Sequence, residues 1–370
     1  MKHAIITTTI NVPENLNAYA KDLVDHGVKN ACFVVTGDKK TPAATAEACA
    51  QIQKTYGIST EYMGVEEQNK FMARFPEYDS FLPWNCIQRR NVAILKAYAD
   101  GADVIYTIDD DNFLHTPNYI GSHGSLGQVQ QLDAVQSESG WFNVCTYLTE
   151  RSGRQFFHRG YSYDHRVTPD PKTTTQKVSG RVVVNAGLWL GDPDVDAVTR
   201  LAIAPDVTES KLKTRIALAH GTKGPFNSQN TAVHRDVIPA YSMYFGVGRY
   251  DDILPSYFVK RIADHLKDYI CFGMPLVRQT RNVHDLWIDA DKERLGYQLT
   301  DRIVAWLYEI TLKGNDYKSC MYEIIPALRE KFRTAEKLTE DQKKFLDMID
   351  KNCVAWLLAI DQADAKSKAA

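Results

Sequence analysis

The 370-residue chain lacks any long apolar run. Its longest late stretch, Val354-Ala355-Trp356-Leu357-Leu358-Ala359-Ile360, falls far short of the ~20 residues a membrane-spanning helix needs. No membrane span is expected. The opening Met1-Lys2-His3-Ala4-Ile5-Ile6-Thr7-Thr8-Thr9 turns polar too soon for the apolar region of a signal peptide, which implies a cytoplasmic protein. Cysteine pairing is missing as well. The 7 cysteines are an odd number scattered without a Cys-x-x-Cys pair, so neither a disulfide framework nor a zinc knuckle is indicated. Nor is there an excess of positive charge: 44 Lys and Arg stand against 46 Asp and Glu, which excludes the bulk field of a general nucleic-acid binder. Phosphate-binding glycine motifs are also absent, because no Gly-x-x-x-x-Gly-Lys-Ser/Thr run occurs and Gly246-Val247-Gly248 follows an aromatic stretch.

What remains is an ordinary globular composition, 44% hydrophobic and 24% charged. The first third alternates short β-branched runs with helical stretches, the pattern of βαβ units around a parallel sheet, and places the chain in the α/β class. Strands are expected at Ala4 to Thr7, Ala31 to Val35, Ser59 to Val65 and Val104 to Ile108. Helices are expected at Asn15 to His26, with Gly27 as the stop, at Pro42 to Tyr56 and at Asn85 to Asp100. From about 113 to 300 the pattern loosens into aromatic-rich stretches and short strands such as Arg181 to Asn185. Val167 to Lys177, with two prolines and four threonines, reads as a mobile loop. From Tyr297 the chain turns helical, and Thr339 with Gln342 forms a capping box ahead of a last helix. The expected organisation is a catalytic domain over 1–296 and a helical subdomain over 297–370, with a frayed end from Ala363.

The apolar strand Val104 to Ile108 runs into Asp109-Asp110-Asp111. Carboxylates there sit where open α/β sheets bind ligands, beyond the strand ends. Two like charges ~4 Å apart repel by about 1 kcal/mol in water and about 4 kcal/mol at an effective dielectric near 20, so the cluster calls for a cation. Alternation sends Asp109 and Asp111 to one side and Asp110 to another, leaving oxygen ligands suited to Mn²⁺ or Mg²⁺ with positions open for a diphosphate. A solvated acidic turn is the alternative. Phe113 and Leu114 occupy the positions at which an EF-hand loop needs a ligand and a glycine, which excludes that reading.

Thr107-Ile108-Asp109-Asp110-Asp111-Asn112-Phe113 resembles the strand and acidic motif of the reversibly glycosylated polypeptides, the plant family that includes UDP-arabinopyranose mutases. Three further stretches match in the same order. Arg159 to Arg166 is similar to that family's arginine pair, Gly187-Leu188-Trp189-Leu190-Gly191-Asp192-Pro193-Asp194 to its Gly-Leu-Trp-Leu segment, and Gly248-Arg249-Tyr250-Asp251-Asp252 to its later acidic motif. The matches cover about 103 to 275. The N-terminal part, with Thr7-Thr8-Thr9-Ile10-Asn11, Gly37-Asp38-Lys39-Lys40 and Leu82-Pro83-Trp84-Asn85, is more similar to the STELLO-type glycosyltransferases. Both imply a GT-A type nucleotide-sugar fold. Two departures stand out: Asn112 replaces a cysteine found in many plant members, and Phe226-Asn227-Ser228-Gln229-Asn230 replaces a Cys-Gly-Met-Asn stretch.

In the GT-A reading Asp109 and Asp111 hold a metal on a UDP diphosphate, with His284 as a third ligand, since such enzymes often take one from late in the domain. Arg159 and Arg166 clamp phosphate or, as the resemblance implies for Arg159, accept the sugar covalently; surface arginines are the alternative. Asp251 and Asp252 orient sugar hydroxyls or act as a general base, unless they are an N-cap and its solvated neighbour ahead of a helix at Tyr257 to Leu266. Thr8, Asp38, Arg90, Asp110 and Trp189 are candidate nucleotide-sugar contacts. The expected function is a metal-dependent UDP-sugar enzyme acting at the anomeric carbon, best matched by a UDP-arabinopyranose mutase-like interconversion. A glycosyltransferase with a glycan or small-molecule acceptor is the second reading, and a non-catalytic nucleotide-sugar-binding partner the third. Oligomeric state is left open.

Overall fold

The structure, a computed structural model, describes residues 1–166, 172–280 and 284–367. Its first half is a run of βαβ units: β1 (His3–Thr8), α1 (Leu16–Asp25), β2 (Ala31–Thr36), α2 (Ala44–Tyr56), β3 (Ser59–Met63), α3 (Val65–Met72), α4 (Pro76–Phe81), α5 (Arg90–Ala99) and β4 (Val104–Ile108). There follow β5 (Asn112–Leu114), α6 (Tyr119–His123), β6 (Val129–Ser137), β7 (Leu148–Glu150), β8 (Thr173–Gly191), α7 (Ala197–Ala202), β9 (Val207–Ser210), β10 (Arg215–Leu218), β11 (Asn230–His234), α8 (Ile253–Leu266) and β12 (Tyr269–Gln279). Three helices close the chain: α9 (Leu286–Glu309), α10 (Tyr317–Thr334) and α11 (Glu340–Ser367).

The strands join one α/β sheet in the order β3-β2-β1-β4-β11-β8-β6-β10-β12-β5. Its N-terminal half, β3-β2-β1-β4, is wholly parallel, the Rossmann-like arrangement expected. β11 then enters antiparallel to β4. The chain moves outward from β1 to β2 and β3, then returns to place β4 on the other side of β1. That reversal opens a crevice beyond the carboxyl ends of β1 and β4. Every residue of β4 is buried, as a strand covered on both faces requires. Gly27, at φ 66°, ends α1 in the left-handed region that a Cβ disfavours.

Three expectations about the chain's organisation change. Thr173 to Lys177 is strand rather than loop, pairing antiparallel with β6 from Thr173 opposite Ser137 to Lys177 opposite Asp133. Its threonines are β-branched and favour extended backbone; Val167 to Pro171 lie outside the described residues. The boundary at 296/297 falls inside α9, and one continuous core runs from Ala4 and Ile5 to Trp356 and Ile360. Trp356 joins the two parts directly, donating Nε1–H to the Ile238 carbonyl at 2.8 Å and meeting the Tyr78 ring edge-on. The tail expected to fray stays helical to Ser367, because Asp364 accepts from the Tyr98 hydroxyl and the Lys318 ammonium, each at 2.7 Å. The capping box is present: Thr339 N–H donates to Gln342 Oε1 at 3.0 Å and Gln342 N–H to Thr339 Oγ1 at 3.3 Å. All seven cysteines are free thiols. No described helix is long and apolar enough to cross a membrane.

Candidate functional site

A cleft of about 640 Å³ lies beyond the carboxyl end of β4 and brings together Arg90, Asp109, Asp110, Asp111, Arg159, Asp251, Asp252 and His284. A smaller cavity of about 330 Å³, lined by Thr8, Asp38 and Asp110, adjoins it, with Ile87 and Asp110 shared by both. Its floor is the ends of the parallel strands. Thr8 and Thr36 share a hydrogen bond at 2.6 Å across β1 and β2, while Thr9 Oγ1 donates to Asp110 Oδ2 at 2.6 Å across the reversal between β1 and β4. Asp38 is fixed by the backbone N–H groups of Lys39 at 2.6 Å and Cys86 at 3.2 Å.

The acidic trio divides as alternation requires. Asp110 turns toward Thr9, while Asp109 accepts from Arg90 Nη2 at 2.5 Å and Asp111 from Gln279 Nε2 at 3.4 Å. Burial raises the Asp109 pKa against the pull of Arg90. Burial and then the Asp109 charge push Asp111 up to about 7. Asp111 Oδ1 is buried without a hydrogen-bond partner, a state that costs roughly 1–3 kcal/mol or more for a charged group. The described lining carries six carboxylates against the four cations Arg90, Arg159, Arg249 and Lys292, so an anionic ligand needs an added positive charge to enter. An orphaned carboxylate oxygen among hard oxygen donors fits Mg²⁺ or Mn²⁺. The set is incomplete, since no three His, Cys, Asp or Glu side chains among the described residues converge on one metal position.

Arg159 is buried and heavily engaged. Nε and Nη2 donate to the two oxygens of Asp194 at 2.9 and 3.0 Å, Nη2 also donates to Asp252 at 3.1 Å, and Nη1 donates to the Arg249 carbonyl. Burial alone would lower its pKa, but Asp194 and Asp252 outweigh that and raise it well above the usual guanidinium value. Asp194 in turn is held far below the ordinary carboxylate range, because Arg159 overcomes the effect of burial. Asp252 also accepts from the Ser228 N–H at 2.8 Å and hydroxyl at 3.0 Å, and Arg90 Nη1 donates to that hydroxyl at 2.8 Å. A continuous charged network therefore runs from Asp109 through Arg90, Ser228, Asp252 and Arg159 to Asp194. Beside it, Asp251 accepts from Gln88 Nε2 at 2.8 Å, and burial together with the Asp252 charge pushes it up to about 6.

Four of the residues singled out in the sequence are placed as follows. Arg166 is not in the cleft: it pairs with buried Asp196, donates to the Tyr161 carbonyl at 3.2 Å and lies over the Phe157 and Tyr163 rings. A bend through Gly160, at φ 79°, turns the chain between the two arginines. Trp189 is buried in β8 against the His158 ring and lines neither the cleft nor the adjoining cavity; it supports the backbone next to Arg159 instead. His284 lines the cleft but shares a hydrogen bond with Asp289 at 3.0 Å and joins no metal cluster; Arg281, Asn282 and Val283 lie outside the described residues. Asp252 does stand at a helix N-terminus, but α8 starts at Ile253 and the carboxylate caps nothing, turning to Arg159 and Ser228.

Sequence reasoning left Asp194, Ser228, Gln88 and Gln279 unassigned. Asp194 was legible as the last residue of the Gly-Leu-Trp-Leu segment. The neutral side chains carry no charge signal, and each makes a cleft contact with a residue more than a hundred positions away.

The family model for reversibly glycosylated polypeptides matches residues 102–362, which is most of the chain. Relatives include the probable UDP-arabinopyranose mutase 1 of Zea mays, 28% identical over 276 residues that span 72% of this chain and 70% of that one. UDP-arabinopyranose mutase 1 of Arabidopsis thaliana is 27% identical over 275 residues, 72% of this chain and 71% of its own. Among solved structures, glucosyl-3-phosphoglycerate synthase from Mycobacterium tuberculosis with Mn²⁺, UDP-glucose and phosphoglyceric acid aligns at a TM-score of 0.40 and 11% identity over 85% of this chain and 81% of that chain. A mannosyltransferase from Pyrobaculum calidifontis in complex with GDP-mannose and Mn²⁺ aligns at 0.36 and 11% over 100% and 76%. By the extent of the family match, the chain belongs to the reversibly glycosylated polypeptide family.

Proposed function

We propose that the chain is a metal-dependent UDP-sugar enzyme acting at the anomeric carbon, and that its reaction is a pyranose to furanose interconversion of the kind named for its mutase relatives. The observation that carries this reading is the meeting of the acidic trio, Arg159 and the Asp251/Asp252 pair in one cleft beyond β4. A divalent cation between Asp109, Asp111 and the diphosphate would neutralise the charge of the leaving group. The adjoining cavity of about 330 Å³ at Thr8 and Asp38 would take the uracil base.

The ring change itself exchanges the C1–O5 bond of a pyranose for the C1–O4 bond of a furanose. A proton therefore leaves O4 and one joins O5, with no net uptake. A carboxyl near pH 6, as at Asp251, both accepts and returns a proton close to neutrality. Arg159, with its charge held by Asp194 and Asp252, would position that pair and balance the developing charge.

The commitment of Arg159 favours a second reading in one respect. A guanidinium with Nε and both Nη groups already bonded, and its pKa raised, is poorly prepared to accept a sugar covalently. Transfer to a separate glycan or small-molecule acceptor requires no such step. Incubating the protein with a panel of UDP-sugars and following both isomerisation and free UDP separates the two. Isomerisation with UDP retained supports the mutase reading, stoichiometric UDP release supports transfer or hydrolysis, and neither removes both.

A further inference from the structure

Three of the four cations that line the cleft are already neutralised. Arg90 is bonded to Asp109, Arg159 to Asp194 and Asp252, and Arg249 donates Nε–H to Glu293 at 2.7 Å with Asp289 3.5 Å away. Lys292 is different: it is exposed, reaches the same cleft, and has no ion-pair partner among the described residues. It comes from α9, beyond the acidic motifs and within the helical C-terminal part of the chain.

Its position is built rather than incidental. A Cβ on Gly248, whose φ is 62°, would lie 1.9 Å from the Lys292 carbonyl oxygen, and a Cβ on Gly296 would lie 2.1 Å from the Tyr250 ring. Gly248 thus lets the 248–250 turn meet the α9 backbone, and Gly296 leaves room for the Tyr250 ring against α9. Between them, buried Glu293 holds Arg249, and it also accepts from the Ala197 N–H at 2.7 Å. The segment that presents Asp251 and Asp252 and the turn that presents Lys292 are therefore one rigid unit.

We propose that Lys292 binds the terminal phosphate of the nucleoside diphosphate, the one next to the sugar, and carries charge for the leaving group. This rests on the UDP-sugar reading above. An ammonium on a flexible stem, facing a net acidic wall, has an anion as its natural partner only when a ligand supplies one. A nucleoside monophosphate has no phosphate at that place and should not sense the residue.

The test is calorimetric titration of the unaltered chain and of Lys292→Met, Lys292→Arg and Lys292→Glu with UDP and with UMP at fixed Mg²⁺. Lys292 is exposed, so the variants should fold, and unchanged melting curves check this. The expected result is a loss of about tenfold in UDP affinity for Lys292→Met, a larger loss for Lys292→Glu, near-complete recovery in Lys292→Arg, and UMP affinity changed by less than about twofold throughout. Equal UDP affinities across the set, or parallel losses for UDP and UMP, overturn the assignment of Lys292 while leaving the UDP-sugar reading intact. An unaltered chain that binds neither nucleotide overturns both.

Discussion

Asn112 and Gln229 exchange two hydrogen bonds: Asn112 Nδ2 donates to the Gln229 carbonyl at 2.8 Å, and Gln229 Nε2 donates to Asn112 Oδ1 at 3.1 Å. One residue stands at the start of β5 and the other just before β11. The pair locks the residue after the acidic trio to the stretch that also supplies Asn227 to Asp194 and Ser228 to Arg90 and Asp252.

Restoring the cysteine alone should therefore harm the protein. Asn112→Cys removes both of these hydrogen bonds, leaving the Gln229 amide with its bond to Gln279 and the Gln229 carbonyl without the Asn112 donor, for an expected loss of about 1–3 kcal/mol in urea unfolding. A variant as stable as the unaltered chain would show that the exchange is not worth its burial.

Asp194 is the residue on which Arg159 depends. Asp194→Asn leaves a buried guanidinium with one ionised partner in place of two, and should destabilise by about 3–5 kcal/mol. Arg159→Lys keeps a charge but loses the parallel geometry, so it should retain only a small part of any activity. Full activity in Arg159→Lys would contradict a positioning role that uses the fork.

The pH dependence of stability follows from Asp251. Its folded value is pushed up to about 6, above an unfolded value of about 3.9. The folded state thus binds the proton more tightly, so this contribution is fully present below about pH 4 and lost as pH rises through about 6. Asp251→Asn should flatten the fall in unfolding free energy across that window by about 2–3 kcal/mol. A fall of unchanged size in the variant would place the titration elsewhere.

Trp356 tests whether the C-terminal helices belong to the same cooperative unit. Trp356→Ala removes a side chain that is 2% exposed and one of the two donors to the Ile238 carbonyl, so an expected loss of about 3–5 kcal/mol should appear in a single unfolding transition. Two separated transitions would instead mark an independent helical domain.

What was legible in the sequence had local causes. The β4 strand and its acidic end were readable because five buried apolar or β-branched residues precede three charges, and periodicity then divides those charges. The parallel half and the capping box at Thr339 were readable for the same reason. Arg166 was misplaced because a spacing of seven says nothing about a bend at Gly160. Val167 to Lys177 looked like a loop because Pro169, Pro171 and the polar residues outweighed the β-preference of threonine, which for Thr173 to Lys177 only the partner strand β6 could reveal. The contacts of Ser228 with Arg90 and Asp252 are tertiary, and no local pattern encodes them.

The central claim is that the cleft beyond β4 holds a nucleoside diphosphate through a divalent cation on Asp109 and Asp111. The direct measurement is a crystal of the protein grown with UDP and Mn²⁺, with anomalous data collected for manganese and the Asp109→Asn, Asp111→Asn double variant treated identically. The account predicts a single manganese peak touching both carboxylates and the diphosphate in the unaltered protein, and no peak in the variant. UDP bound without manganese at Asp109 and Asp111, or seated away from β4 altogether, would contradict it.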